Sequence, residues 1–270
     1  MFTQKELEII CTKAKKIVAD VAIFIKTEKN KVAKSDIEAK GLNDLVSYVD
    51  KTAEKLLVEQ LSVLLPNATF VTEESTIENK KSDAYWVIDP LDGTTNFLHG
   101  IPHFAISVAL VHDEKPIIGI IYDVMPGDCY SAYKNGGAYL NNTKINVSQS
   151  NRILDSVLGM GFPYSEYKNM DSVAASLSYF LKNTRGLRRM GAAALDLAYV
   201  AVGYLDGFYE VNLKAWDVAA GICLVQEAGG IVQDFSGKDD FLFGGEIIAT
   251  NPNIAKELQE LVYGFYVEVC

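Results

Sequence analysis

Two aspartates that end an apolar run are the residues of this sequence whose type and spacing most suggest chemistry. Asp89 and Asp92 lie three positions apart, directly after the apolar residues 85–88. Glu73 follows a shorter apolar segment, residues 69–71, in the same way. Short apolar runs of this kind are typical of buried strands. We therefore expect these carboxylates to lie where two strands end.

Neighbouring strands would bring these carboxylates together at one edge of a sheet. Like charges at close range repel by an energy on the order of several kcal/mol at a modest effective dielectric. Protonation, arginine partners or divalent cations could each offset this repulsion. Residues 69–104 contain Lys80 and Lys81 but no arginine. Because all-oxygen ligands suit hard ions, Mg²⁺ is the expected compensating ion.

The residues beside these aspartates are typical of an anion site. Pro90 fixes one backbone dihedral, so residues 89–92 are expected to form a stiff turn that directs both carboxylates to one side. The carbonyl of Leu91 could serve as a further oxygen ligand. Gly93 would let a ligand approach the backbone, and residues 96–100 are expected to form a short helix whose first amides favour an anion. The same pattern also suits an ordinary Asx-turn with a helix cap.

Alternating helices and strands must position these groups. The apolar periodicity predicts helices over residues 5–26, 44–65, 170–181, 191–203, 215–228 and 253–262. Shorter apolar runs predict strands over residues 69–71, 84–88, 105–111, 116–122, 128–134, 156–160, 208–211, 231–234 and 247–249. The polar residues 27–40 predict a loop or weak hairpin, either solvated surface or a lid over the site. This order predicts a layered α/β or α+β protein, with a subdivision near residue 150.

Composition and charge narrow the class of protein. The chain has 270 residues, 49% apolar and 22% charged, which suits one large domain or two closely packed ones. The net charge of −10 opposes nucleic-acid binding. No apolar run approaches the roughly 20 residues of a membrane span, and the first 20 residues do not resemble a signal peptide. The cysteines are expected to be free thiols in a reducing cytoplasm: Cys11, Cys129, Cys223 and Cys270.

Four motifs, in the same order along the chain, resemble those of the inositol monophosphatase family of Mg²⁺-dependent, lithium-sensitive phosphatases. Residues 89–97, DPLDGTTNF, resemble the family signature, and residues 72–75, TEES, resemble its upstream glutamate motif. Residues 44–50, DLVSYVD, resemble the early aspartate motif. The second signature is resembled by WDVAAG at 216–221, followed by EAGG at 227–230. The similarity spans nearly the whole chain and implies a layered αβαβα sandwich that is usually dimeric.

The resemblance implies a ligand set for the metal ions. Glu73, Asp89 and the Leu91 carbonyl would hold one Mg²⁺. Asp89, Asp92 and Asp217 would hold a second. Glu73 would also help to hold a third, weaker ion. Asp217 alone could instead be an N-cap at a helix start.

The resemblance also implies how phosphate and water are held. Gly93, Thr94 and Thr95 would bind the phosphate, the first two through their backbone amides. Thr94, with Asp50 or Glu73 nearby, would position the attacking water. One ion would activate that water for in-line attack, and the other would stabilise the leaving oxygen.

At the substrate end, the resemblance implies contacts from Asp92, Ala193, Glu210 and Asp217. Glu210 lies seven residues before Asp217, the position from which family members contact an inositol hydroxyl. Some members have threonine where Ala192 stands. The expected reaction is hydrolysis of inositol monophosphate to inositol and phosphate, with broad tolerance for other substrates.

Three cationic residues leave the identity of the substrate undecided. Arg188, Arg189 and Lys214 are either solvated surface or a grip for a second phosphate. A second grip would favour NADP, fructose 1,6-bisphosphate or a 3′-phosphoadenosine compound, hydrolysed by the same metal chemistry. A non-catalytic regulatory or RNA-associated role is disfavoured by the complete set of carboxylates and by the acidity of the chain.

Overall fold

The computed structural model describes residues 2–32, 37–41, 44–162 and 170–266. In these ranges the helices are α1 (Gln4–Glu28), α2 (Tyr48–Leu64), α3 (Thr94–Leu98), α4 (Met170–Asn183), α5 (Ala193–Ala201), α6 (Ala215–Glu227) and α7 (Ala255–Tyr266). None of these helices combines the length and the apolar composition that crossing a lipid bilayer requires.

The described strands form one hairpin and two sheets. The hairpin pairs β1 (Ile37–Gly41) antiparallel with β2 (Asp44–Ser47). The larger sheet contains, in spatial order, β3 (Thr69–Thr72), β4 (Ala84–Asp92), β5 (Ala105–His112), β6 (Lys115–Asp123), β7 (Asp128–Tyr133), β8 (Gly137–Leu140) and β9 (Thr143–Ile145). Strands β3 and β4 are parallel, with Val71 opposite Val87, and every later neighbour in this sheet is antiparallel.

The smaller sheet is mixed. Its strands lie in the order β11 (Gly186–Arg188), β10 (Val157–Met160), β12 (Gly207–Val211), β14 (Glu246–Thr250) and β13 (Ile231–Gln233). Strand β10 pairs in parallel with both β11 and β12. The smaller sheet begins after residue 150, but the core between the two sheets draws side chains from both halves of the chain. The subdivision near residue 150 stays a prediction.

The elements stack in five layers. Helices α1 and α2 cover one face of the larger sheet, and α5 and α6 lie between the two sheets. Helices α4 and α7 cover the outer face of the smaller sheet. Three apolar clusters fill the spaces between layers, and one of them lies on both sides of α5 and α6. The expected layered αβαβα sandwich is therefore confirmed.

Helix α6 is apolar around its circumference because sheets cover it from both sides. A Cβ atom on Gly119 of β6 would overlap the carbonyl of Ala220, so glycine lets the helix lie directly on the sheet. Gly221 gives the same close approach to Leu197 of α5. This tight packing fixes the N-terminal turn of α6, which carries Asp217, over the larger sheet.

The structure corrects some predicted boundaries. Helix α2 begins at Tyr48 rather than at Asp44, because residues 44–47 form β2 and the Ser47 hydroxyl caps the helix by accepting from the Val49 amide at 3.1 Å. Strand β4 continues past residue 88 to Asp92, and the short helix spans Thr94–Leu98 rather than residues 96–100.

The segment predicted as a loop or weak hairpin is partly described. Helix α1 extends to Glu28, and residues 37–40 belong to β1, whose hairpin partner β2 lies beyond the predicted segment. Residues 33–36 and 42–43 lie outside the described residues, so the suggested lid stays a prediction. Cys11, Cys129 and Cys223 are buried free thiols, as expected. Cys270 lies outside the described residues.

Candidate active site

Parallel pairing of β3 with β4 brings the predicted carboxylates together. Glu73 follows β3, and its amide donates to the Ile88 carbonyl at 3.2 Å. The side chains of Glu73 and Asp89 share a hydrogen bond, and Asp89 is only 2% exposed. Burial, followed by the negative charges of Glu73, Asp92 and Asp217, raises the pKa of Asp89 well above its ordinary value.

The stretch from Asp89 to Asp92 is a bulge inside a strand rather than a turn beyond it. The register with β5 shifts between these two residues, which lie opposite Ser107 and Ala105. The Leu91 amide donates to Asp89 Oδ1 at 2.9 Å, which fixes the orientation of that carboxylate. The bulge directs a main-chain carbonyl and two carboxylates to one region without ending the sheet.

Asp92 reaches the N-terminus of α5, which lies a hundred residues further along the chain. Its Oδ2 accepts from the Ala194 amide at 2.7 Å, and the Ala193 amide also donates to the carboxylate. Burial raises the pKa of Asp92 to about 7, although these amides and the positive charge of Arg189 act in the opposite direction. The predicted substrate residue Ala193 therefore lies beside a predicted metal ligand.

Asp217 joins the cluster from the first turn of α6. It is the third residue of the helix rather than its N-cap, and its Oδ2 accepts from the Lys214 amide at 2.6 Å. Burial and the charge of Asp92 raise the pKa of Asp217 to about 7. The residue thus holds the helix start together and contributes a carboxylate to the site.

Asp50 and Thr94 form a second, adjoining group. Asp50 is 1% exposed, and its Oδ2 accepts from the Ser47 amide at 2.9 Å and from the Ser47 hydroxyl at 2.7 Å. Thr94 Oγ1 lies 3.1 Å from Asp50 Oδ1 and 3.0 Å from the Leu91 carbonyl. A hydroxyl has one proton to donate, so its oxygen can still accept a hydrogen bond from water. Of the two predicted neighbours of Thr94, this structure brings Asp50 to its hydroxyl, while Glu73 pairs with Asp89.

The segment that begins α3 is built around Gly93. Its φ is +89°, in the left-handed region, and a Cβ there would lie 3.0 Å from the His103 carbonyl. Glycine is therefore required for both conformation and space. The first amides of a helix have no acceptor within the helix, so those at Thr94 and Thr95 are suited to an anion.

Two supporting residues have no predicted role. The Asn96 side-chain amide donates to the carbonyls of His103 and Met190 at 2.8 and 2.9 Å, which ties α3 to the segment before α5. Glu54 is 0% exposed and accepts from the Glu74 and Thr76 amides at 2.7 Å each. Glu54 stands among the apolar positions of α2, and this charged residue within a core-facing stripe is the signal that could have identified it.

The substrate end lies beside the same carboxylates. Glu210 on β12 is 9% exposed, and burial raises its pKa to about 8, with Arg189 lowering it and Asp217 and Asp92 raising it. The Arg189 guanidinium lies 4.8 Å from the centre of the Phe162 ring. Its charge acts on Asp92 and Glu210. Arg188 and Lys214 are exposed, and the charge of Lys214 acts to lower the pKa of Asp217.

The donor set fits a hard divalent cation. The four carboxylates of the site supply only oxygen ligands: Glu73, Asp89, Asp92 and Asp217. Repulsion between them contributes to the raised pKa values of the three aspartates. In the part of the chain that the structure describes, no three His, Cys, Asp or Glu side chains already stand at the spacing of a metal cage.

The fold and this site define a class of protein, a layered αβαβα sandwich with an acidic site suited to divalent metal ions. The chain belongs to the inositol monophosphatase family, whose family model matches residues 4–265. This family is generally metal-dependent.

Some relatives of the chain are named Nus factors, and another is named a phosphatase. The chain is 41% identical over 220 residues to "Nus factor SuhB" of Pasteurella multocida, covering 81% of this chain and 82% of that protein. It is 40% identical over 227 residues to "Inositol-1-monophosphatase" of Mesorhizobium japonicum, covering 84% and 85%. Among solved structures, the extragenic suppressor protein suhB from Bartonella henselae is similar with a TM-score of 0.87 and 38% identity, covering 92% of this chain and 95% of that one.

Proposed function

We propose that the protein is a Mg²⁺-dependent phosphomonoesterase that hydrolyses inositol monophosphate to inositol and phosphate. The observation that carries this proposal is the meeting of Glu73, Asp89, Asp92 and Asp217 beside the first turn of α3. A carboxylate cluster next to unpaired helix amides suits a phosphate ester bridged by cations. The name of the Mesorhizobium relative supports the same substrate.

The proposed ligands are those that the sequence predicts. Glu73, Asp89 and the Leu91 carbonyl hold one ion, Asp89, Asp92 and Asp217 hold another, and Glu73 contributes to a third, weaker one. When bound, Mg²⁺ supplies positive charge to the phosphoryl oxygens and lowers the pKa of a water molecule.

The chain itself orients the reactants. Thr94 Oγ1 donates toward Asp50 or the Leu91 carbonyl, which leaves its lone pairs to accept a hydrogen bond from the attacking water. The amides of Gly93 and Thr94, together with Thr95, hold the phosphate in line with that water. In the hydrolysis the water oxygen forms a bond to phosphorus and the bond between phosphorus and the alcohol oxygen breaks. The proton that the water loses ends on the alcohol oxygen. Ala193 and Glu210 border the alcohol part of the substrate, and Glu210 accepts a hydrogen bond from one of its hydroxyls.

A phosphate-release panel tests the proposal. Inositol 1-phosphate, NADP, fructose 1,6-bisphosphate and 3′-phosphoadenosine 5′-phosphate would each be assayed with Mg²⁺, with a chelator and with Li⁺ added to Mg²⁺. We expect Mg²⁺-dependent release that is fastest with inositol 1-phosphate and is inhibited by millimolar-range Li⁺. The inositol assignment fails if inositol 1-phosphate ranks among the poorest substrates, and the phosphatase assignment fails if no compound releases phosphate.

The relatives named "Nus factor SuhB" favour a second candidate, a regulatory role that needs no catalysis. The net charge of −10 favours a protein rather than a nucleic acid as the partner in such a role. Asp92→Asn separates the two functions in a strain that lacks the gene. Rescue by the wild type alone indicates catalysis, whereas equal rescue by the variant indicates the regulatory role. A homodimer in the cytoplasm is the proposed working form for either function.

A further inference from the structure

The carboxyl group of Glu210 lies in a space that only glycine at position 161 can leave open. Gly161 immediately follows β10, and its amide donates to the Tyr209 carbonyl of β12 at 3.2 Å. A Cβ atom built on Gly161 would overlap Cδ and both carboxylate oxygens of Glu210. These atoms would stand far inside van der Waals contact, so any other residue would displace the carboxyl group.

Glycine is required here for space and not for backbone conformation. Gly161 does not have a positive φ, unlike Gly93 or Gly191. An alanine could therefore adopt the same backbone conformation without strain. The atoms that it would meet are the far end of a flexible side chain, so the side chain of Glu210 would move and the strands would stay in place.

The position of Glu210 connects this space to the proposed reaction. Its carboxyl group is close enough to Asp92 and Asp217 for their charges to act on it. It therefore lies next to the proposed metal ligands, where the proposed function places the substrate alcohol. Confinement against Gly161 removes rotamer freedom before any substrate binds, which lowers the entropy cost of using the carboxyl group as an acceptor.

We propose that Gly161 is a specificity-determining positioning residue: it holds the Glu210 carboxyl group where that group accepts a hydrogen bond from a hydroxyl of a polyhydroxylated leaving alcohol. The inference rests on the proposed phosphatase function and adds to it a residue that selects the substrate class. Phosphate esters of cyclitols and sugars gain this contact, whereas a phosphate ester of a phenol lacks the hydroxyl and does not.

Gly161→Ala tests the proposal with two substrates. For inositol 1-phosphate we expect kcat/KM to fall by roughly 10- to 100-fold, as for the loss of one hydrogen bond to a charged group. For p-nitrophenyl phosphate, whose leaving group has no free hydroxyl, kcat/KM should stay within about 2-fold, because the metal and phosphate residues are unchanged. An equal loss with both substrates would overturn the proposal.

A double-mutant cycle separates positioning from general damage. In a Glu210→Ala background, Gly161→Ala should have no further effect on inositol 1-phosphate, because the side chain that it displaces is gone. A loss that persists in this background contradicts the proposal. Gly159→Ala is the matched control: its Cβ would lie 2.9 Å from Leu205 and 3.1 Å from Phe208, so it should lower the melting temperature without changing the ratio of the two substrates.

Crystal structures provide a readout that does not depend on activity. In Gly161→Ala the Glu210 carboxyl group should retreat by more than about 1 Å to reach ordinary contact distance, while the backbone of β10 stays in place. A carboxyl group that keeps its position overturns the inference even if the activity changes. If the wild type releases no phosphate from either substrate, the proposed function fails, and these structures still decide the geometry of Gly161 and Glu210.

Discussion

Glu54 should stabilise both the fold and the loop that carries Glu73. Its carboxylate is fully buried and accepts from the amides of Glu74 and Thr76 and from the Thr76 hydroxyl, each at 2.7 Å. Glu54→Ala leaves three part-buried donors without their acceptor. A hydrogen bond to a charged group contributes about 1.5–3 kcal/mol, and the three are not additive, so we expect a loss of roughly 3–5 kcal/mol in the free energy of unfolding.

Glu54→Gln, the conservative variant, should lose less stability than Glu54→Ala. In Glu54→Gln the single amide oxygen can keep both bonds from Thr76, while its NH₂ group then faces the Glu74 amide, donor against donor. We expect a cost of roughly 1–2 kcal/mol. In both variants the loop after β3 should loosen, so Glu73 would be held less firmly and half-maximal activity should require a higher Mg²⁺ concentration.

Urea unfolding measures the loss in the free energy of unfolding. A Mg²⁺ titration of phosphate release measures the Mg²⁺ concentration that half-maximal activity requires. Glu59→Ala is the control, because Glu59 is exposed on the same helix and its removal should change stability by no more than about 0.5 kcal/mol. A Glu54→Ala variant that is as stable as this control would contradict the predicted stabilising role of the Glu54 carboxylate. A variant that unfolds more easily but keeps the wild-type Mg²⁺ dependence would contradict the link to Glu73.

Three further predictions concern the carboxylates and Thr94. Asp92→Asn should lose nearly all turnover and keep its fold, measured by phosphate release and circular dichroism; full activity would contradict the metal assignment. Thr94→Ala should lower kcat by roughly 100-fold, and Thr94→Ser should restore most of it, because the hydroxyl that orients water is kept. In chelator, the raised folded pKa values of Asp92 and Asp217, about 7 against an ordinary 3.8, should make stability fall as pH rises from about 4 to 7. Thermal melts should show a smaller fall in Asp92→Asn and in saturating Mg²⁺, and identical pH profiles would contradict this.

The sequence predicted most elements because their periodicity is strong. Helix α1 has a continuous apolar stripe and a capping box between Thr3 and Glu6, so its limits depend on neighbouring residues only. The start of α2 was predicted wrongly. Residues 44–47 pair with β1, and no local pattern distinguishes that strand from a first helical turn. Pairing with the adjacent strand β1 was decisive there, because the state of a short strand depends on its pairing partner more than on its own propensity.

The candidate site also combines features that the sequence predicted with features that it did not. The spacing of Asp89 and Asp92, and the glycine that follows them, suited either a phosphate and metal site or a capped Asx-turn, and the other motifs of the family favoured the site before any fold was known. Their hydrogen-bond partners could not be read from the sequence. Asp92 binds the amide of Ala194 at the start of α5, and Thr94 lies beside Asp50 at the start of α2. These contacts exist because the larger sheet and the helices on both of its faces bring three distant chain segments together.

The sequence by itself predicted the candidate chemistry of this protein: oxygen ligands in excess, a glycine that frees the backbone, and a helix start suited to an anion. These features are local, since each depends on residue type and on spacing of a few positions. Only the tertiary structure decided which residues support them. Glu54 is marked locally as a charged residue within a core-facing stripe, but its partners Glu74 and Thr76 are brought near only by the packing of other elements. The same holds for the carboxyl group that Gly161 accommodates. Local propensity acts within a turn or a strand, whereas the space beside Gly161 is defined only when β10 and β12 lie side by side.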